Sequence, residues 1–311
     1  MGFPGRTVGC SRRTMLKEQT LCTIPRHCRI PTIKHLLDRA AVLAAARGGR
    51  DKLAVFLACA LYLPGWCFPS LLGRAGDRLS SAVIRRTLLQ IGSVKMKVSQ
   101  VALLELSMNY EEQLWRYLLP RPGEVFLDVG ANVGWYTLHV GRAVGPAGLV
   151  LAVEPDQDNF AVLKENIRLN HLSNVIALNF AAWDRDGELD LILAETCTGH
   201  TVKREWANSA RPWSWFSERP VTVKVPARRL DDVLQKQNLT RIDWVKIDVE
   251  GAEVEVLRGL RQTLTRFQPR ILVESESPED LTGILQPMGY QVLLLGQLAP
   301  GAPPNYFCYT R

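Results

Sequence analysis

A chain of 311 residues has room for one large domain, or for one domain and an extension. With 47% hydrophobic and 22% charged residues, and neither a low-complexity tract nor an internal repeat, the composition is that of an ordinary globular protein and excludes a disordered or fibrous chain. The net charge of +7 is carried by the front: residues 1 to 119 hold 18 Lys/Arg against 7 Asp/Glu, or +11, which leaves −4 for the rest, and the positives are scattered too singly to suggest a nucleic-acid partner.

Residues 1–30 carry no structural signal, as a disordered start would. They contain Arg6, Arg12, Arg13, Lys17, Glu18, Arg26 and Arg29 without the apolar core of a secretion signal, although an arginine-rich, acid-poor start also suits a transit segment. The seven cysteines are odd in number and lack the rhythm of paired metal ligands, so reduced thiols and a cytoplasmic location are expected.

The pattern predicts a helix over Thr32–Arg47, stopped by Gly48-Gly49. Leu53 to Leu63 is uncharged and apolar, and Pro64-Gly65 is expected to end its helix after about 11 residues, too short to span a bilayer. A buried helix is the leading reading there, with a membrane-surface contact through residues 53–72 as the alternative. Helical patterning resumes over Leu79–Gln90, and Asn109–Leu119 gives a short helix. The first hundred residues thus read as a basic, mainly helical extension without a chemical constellation, and residues 101–311 as the main domain.

From there strands and helices alternate. Apolar runs at Val125–Val129, Leu149–Val153, Val175–Phe180, Ile242–Ile247 and Arg270–Val273 are separated by helical stretches at Thr137–Val144, Phe160–Asn170 and Val254–Phe267, which predicts a doubly wound, mostly parallel α/β sheet. A helix over Asp280–Gln286 precedes two last runs, Gln291–Leu295 and Tyr306–Thr310, which read as a hairpin and place an antiparallel strand near the sheet edge. Between the third and fourth strands lies an insertion with short strands at Glu188–Leu193 and Val221–Val225 around a loop holding His200, Trp206, Trp213, Trp215 and Phe216, read as a substrate lid.

The strongest chemical signal is Phe126-Leu-Asp128-Val-Gly130-Ala-Asn132-Val-Gly134: an acidic residue ends a buried strand and a glycine-punctuated turn opens the next helix. A nicotinamide fingerprint fails here, because Asn132 stands where the second glycine should be. The Asp128 carboxylate would repel a pyrophosphate but complements the ammonium group of S-adenosylmethionine. Glu154 ends the second strand, where a carboxylate can accept both ribose hydroxyls. Asp184 reads equally as an adenine contact or as ordinary turn chemistry.

The second cluster is Lys246-Ile-Asp248-Val-Glu250-Gly-Ala-Glu253. Asp248 or Glu250 is the expected base or hydrogen-bond acceptor for a hydroxyl, Glu253 is expected to serve its helix, and Lys246 to point elsewhere. His200 is a further candidate base, His139 a packing residue, and three clustered carboxylates holding a divalent cation is an alternative to metal-free chemistry.

These two motifs resemble those of the FkbM-type methyltransferases. So do Tyr136-Thr137 after the first, Tyr110-Glu111 before it, Arg229-Leu-Asp-Asp232 before the fourth strand, and Pro269-Arg-Ile-Leu-Val-Glu274 at the fifth. The resemblance covers roughly residues 105 to 295. It implies a class I methyltransferase fold and S-adenosylmethionine held by Asp128, Gly130, Asn132, Gly134 and Glu154. It also implies Asp248 and Glu250 beside the transferred methyl group, and usually an oxygen on a small-molecule, sugar or lipid-like acceptor. A catalytically silent binding module and a nicotinamide oxidoreductase remain the alternatives.

Overall fold

A computed structural model gives the fold and describes residues 46, 48–67, 79, 82–84, 87–98, 112–194, 199–204, 221–297 and 303–311. Its centre is a seven-stranded sheet of β3 (Val125–Val129), β4 (Leu149–Val153), β5 (Val175–Leu178), β9 (Trp244–Ile247), β10 (Arg270–Glu274), β11 (Gln291–Gln297) and β12 (Pro304–Tyr309), in the order β11-β12-β10-β9-β3-β4-β5. β3, β4, β5, β9 and β10 pair in parallel, while β12 runs antiparallel between β10 and β11, so the expected hairpin holds and its reversed strand is second from the edge.

Every residue of β3 and of β9 is buried, which explains why their sequences are near-continuous apolar runs. The chain winds outward from β3 through β4 and β5, then returns to β9 on the other side of β3. That reversal opens a crevice at the carboxyl ends of β3 and β9, where ligands bind in open α/β sheets. Helices α3 (Trp135–Val144) and α4 (Gln157–Leu169) make the first two crossovers.

The third strand is shorter than its apolar run. After Leu178 the chain leaves the main sheet at Asn179, whose side-chain amide donates to the carbonyls of Glu154 and Pro155 at 2.8 and 3.1 Å. It then enters a second sheet of β6 (Ala181–Trp183), β7 (Gly187–Leu193) and β8 (Val221–Arg229), ordered β6-β8-β7. The insertion strands are therefore real, longer than expected, and joined by a β6 that the apolar pattern hid.

The long helix expected over Val254–Phe267 is two, α6 (Glu253–Gly259) and α7 (Arg261–Phe267). The physical reason is Asp231 in α5 (Leu230–Lys236), whose carboxylate accepts the backbone N–H groups of Gln262 and Thr263, each at 2.9 Å, and so caps a new helix start. The last expected helix forms as α8 (Pro278–Leu285).

The front of the chain departs most from its pattern. The Thr32–Arg47 helix lies outside the described residues apart from Ala46, as do 109–111 of the short helix that survives as α2 (Glu112–Trp115). α1 runs from Gly49 to Cys67, straight through Pro64-Gly65. Pro64 falls in the final turn, where the missing N–H removes one bond without interrupting those before it. Nor is α1 wholly buried: Val55, Ala58 and Cys59 pack inward, whereas Leu53 and Phe56 are each 57% exposed. Among the described residues no helix is long and apolar enough to cross a membrane.

Leu89 and Gln90, expected in a helix, instead lie in β1 (Leu89–Ile91), which forms a hairpin with β2 (Val94–Met96) around the positive-φ Gly92. The overriding force is tertiary. Asn170 accepts the Lys95 N–H at 2.8 Å and donates to its carbonyl, while Asn166 accepts the Lys97 N–H at 2.7 Å and donates to its carbonyl at 2.9 Å. Leu89, Val94, Met96 and Val98 form one core with Val133 and Leu138, packed against Val162 and Ile167 of α4. Replacing Asn166 by alanine is expected to strip the Lys97 N–H and carbonyl of these partners and cost about 2 to 3 kcal/mol, read as a lower midpoint in urea unfolding.

Candidate active site

β3 ends at Val129, one residue past Asp128, and β9 at Ile247, one residue before Asp248, and the backbones that follow meet. The Asp248 N–H donates to the Val129 carbonyl at 3.0 Å, and a Cβ on Gly130 would sit 1.8 Å from the Asp248 carbonyl oxygen. The missing side chain of Gly130 thus holds the place that the second motif's backbone occupies. Asn132 has φ 51, a left-handed conformation that asparagine tolerates, which is how the turn closes without a second glycine.

Asp128 is 1% exposed. Its Oδ2 accepts the Thr137 hydroxyl at 2.6 Å from α3, and its Oδ1 has no hydrogen-bond partner. Burial pushes its pKa up, against the pull of the Lys246 ammonium and the Thr137 hydrogen bond. A desolvated carboxylate oxygen without a donor suits a cationic ligand group.

Glu154, at the end of β4, turns back onto the first motif. Its Oε2 accepts the Asn132 N–H at 2.8 Å and its Oε1 the Asp156 N–H at 2.9 Å, which leaves further lone pairs for hydroxyl donors. Burial pushes its pKa up to about 8 in spite of those two donors. Glu253 is likewise raised by burial, to about 7, and its carboxylate accepts the Gly251 N–H at 2.8 Å, so it braces the Glu250-Gly251 turn from within. Both groups keep a proton in the fold that the unfolded chain sheds near pH 4.5, so stability falls as pH rises from there to about 8 and levels off above. The ligand-free protein is therefore expected to melt higher at pH 6 than at pH 8.5, on the order of 5 °C or more, with Glu154→Gln flattening the profile in calorimetric scans.

Lys246 does not point elsewhere. It is 5% exposed, pairs in register with Asp128, donates to Asp248 at 3.0 Å, and lies 4.3 Å from the Tyr136 ring centroid. Its four-carbon stem carries the charge from the buried strand to the crevice floor. Glu250 has φ 52, and its carbonyl accepts the Thr201 hydroxyl at 2.7 Å, which ties the insertion to the turn of the second motif. Thr137 and Thr201 are site residues to which the motifs gave no role, and Lys246 is one whose direction they gave wrongly. A hydroxyl three residues past the second motif glycine, and a lysine two residues before Asp248, were the available signals.

His200 is half-buried, and its Nδ1 accepts the Ala194 N–H at 3.0 Å, so the neutral ring offers Nε2–H as a donor and not a free lone pair as a base. Burial lowers its pKa, while Asp156 and Asp158 draw it upward, which sets the ring near the start of α4. Trp206, Trp213, Trp215 and Phe216 lie outside the described residues. His139 packs against Trp135, with its Nδ1 2.9 Å from the Trp135 carbonyl. Asp184 is not brought to this cluster: it follows β6 in the second sheet, with its Cα against Gly259 at the far end of α6 from Glu253. The structure does gather Asp128, Gly130, Asn132, Glu154, Asp248 and Glu250 around the carboxyl ends of β3, β4 and β9, and Gly134 packs α3 against Leu163. Among the described residues no three His, Cys, Asp or Glu side chains converge as metal ligands would.

A sequence profile described as the methyltransferase FkbM domain matches residues 128–292. The chain is 29% identical to methyltransferase 1 of Beauveria bassiana, over 61% of this chain and 81% of that one. It is 32% identical to methyltransferase sdnD of Sordaria araneosa, over 55% and 75%. With the 2-O-methyltransferase NoeI of Sinorhizobium fredii it shares 30% identity over 48% of this chain and 62% of the relative.

Proposed function

Since the chain belongs to the methyltransferase FkbM family, we propose that it moves the methyl group of S-adenosylmethionine to a hydroxyl oxygen on a small acceptor. The observation that carries the cofactor half is the buried, unpartnered Oδ1 of Asp128, set where two motifs meet through their backbones. Asp128 would hold the ammonium group, Glu154 the ribose hydroxyls, and the glycine turn from Gly130 to Gly134 would leave room for close backbone approach. When bound, the cofactor supplies an electrophilic methyl carbon on a positive sulfur.

The chain's own task is alignment and exclusion of water, and alignment can be worth roughly 7 to 11 kcal/mol. Asp248, half-buried at the crevice floor, accepts a hydrogen bond from the acceptor hydroxyl and takes its proton as the oxygen attacks. Its bond to Lys246 fixes the carboxylate's direction. The oxygen specificity rests on the carboxylate at this position and on the relative named a 2-O-methyltransferase.

Incubating the protein with S-adenosylmethionine labelled in the methyl group and a metabolite extract, then identifying the labelled product, tests the reading. An ether on a hydroxyl-bearing product is expected, and Asp248→Asn should slow transfer about 100-fold or more while cofactor affinity in titration calorimetry stays within a factor of two. Label on nitrogen or carbon would overturn the oxygen assignment. Cofactor binding without transfer to any extract would favour a silent binding module.

A further inference from the structure

We propose that Lys246 is a positioning residue of the methyl-transfer site, lodged between Asp128 and Asp248 beneath the Tyr136 ring so that one ammonium group keeps both carboxylates fit for their ligands. The inference rests on the cofactor reading above and adds a residue to it. The row starts in the sheet: Asp128 on β3 and Lys246 on β9 are register partners, and Asp248, just past the end of β9, accepts a hydrogen bond from Lys246. Asp128 and Lys246 lie side by side where water is scarce and Coulomb terms are large, and Asp248, 31% exposed, faces the crevice beside them.

The charged groups facing this row are few. Lys246 and the Thr137 hydroxyl favour the charged form of Asp128, whereas burial and Asp248 oppose it. Glu154 is influenced by Asp128 across the turn, and Glu253 by Asp248 on the other flank. Tyr136 offers its ring face to the ammonium. Lys246 is thus the cation that Asp128 and Asp248 share, and without it Asp128 would hold its proton to a higher pH. A protonated Asp128 presents no charge to an ammonium group, so cofactor binding would weaken at neutral pH and recover in alkali.

S-adenosylhomocysteine and 5′-methylthioadenosine separate this role from a structural one, because both carry the ribose that Glu154 would meet and only the first carries the ammonium group. The ratio of their affinities, measured by calorimetry between pH 6 and 8.5 on the full chain, reports the amino-acid end of the ligand, and the pH at which that ratio changes reports the titration of Asp128. With Lys246→Met the pH at which that ratio falls is expected to move upward by one unit or more, so that at pH 7 S-adenosylhomocysteine binds about tenfold more weakly while methylthioadenosine stays within twofold. Lys246→Gln is measured alongside as a second neutral variant, and Lys246→Arg should restore the ratio. An unshifted ratio in either neutral variant, or equal losses for both ligands, overturns the proposal. A wild-type protein that binds neither ligand overturns the cofactor reading itself, and the role given to Lys246 falls with it.

Discussion

Asparagine in place of Asp128 should weaken S-adenosylmethionine binding about 100-fold in titration calorimetry while leaving the ligand-free fold at least as stable as before. The two expectations come from one fact: Asp128 is 1% exposed, and one of its oxygens has no donor. In the empty protein the carboxylate carries a desolvation cost that a neutral amide avoids, and the Thr137 hydroxyl can still donate to an amide oxygen. In the complex the amide cannot supply the charge-assisted hydrogen bond, worth about 1.5 to 3 kcal/mol before the lost Coulomb attraction is added. A residue that costs its own fold stability and leaves one buried oxygen for a ligand to satisfy is one retained for binding. Binding undiminished in Asp128→Asn would remove the ammonium contact from the site, and a lower melting temperature would show that the carboxylate serves the fold.

Alanine at Gly130 is expected to be worse for the fold than any change to a site side chain. Its φ of +82 already disfavours a Cβ, and that atom would sit 1.8 Å from the Asp248 carbonyl oxygen. Backbone cannot rotate aside as a side chain can, so the ends of β3 and β9 must part. A loss of about 4 kcal/mol or more follows, and a melting temperature lower by about 10 °C. Gly123 gives the control. Its φ of +84 is nearly the same, yet nothing lies within 4 Å of its virtual Cβ. Gly123→Ala should cost only the conformational strain, about 1 to 2 kcal/mol. Equal losses in the two variants would mean that the contact between the motifs contributes nothing to stability.

The middle of the main sheet was legible because β3, β4, β9 and β10 are largely buried on both faces, and β3 is closed by Asp128 and Gly130. The site was legible to the same depth, since Asp128, Glu154 and Asp248 sit at strand ends, and strand ends are where the pattern changes. What stayed hidden depends on partners far along the chain. The β1–β2 hairpin has three residues in each strand, too few for alternation to show, and is held by side chains some 70 residues away. Lys246 reads as an interruption in an apolar strand, and only the register with Asp128 gives its charge a purpose. Asp184 follows an apolar run that seemed one strand, but the Asn179 amide bonds to Glu154 and Pro155 turn the chain into another sheet before it arrives.

The grip of Asn166 and Asn170 on the hairpin also bears on where this protein can be cut. Both amides are buried, and each exchanges hydrogen bonds with the N–H and carbonyl of one residue, Lys95 in β2 and Lys97 just after it, much as a neighbouring strand would. A recombinant fragment trimmed to the region of family resemblance, starting near residue 105, would expose that pair, at the C-terminal end of α4, and the apolar face of α4 to water. For an expression vector, crystallisation trial or fused reporter, the smallest useful piece therefore begins ahead of Leu89, upstream of any border drawn by homology.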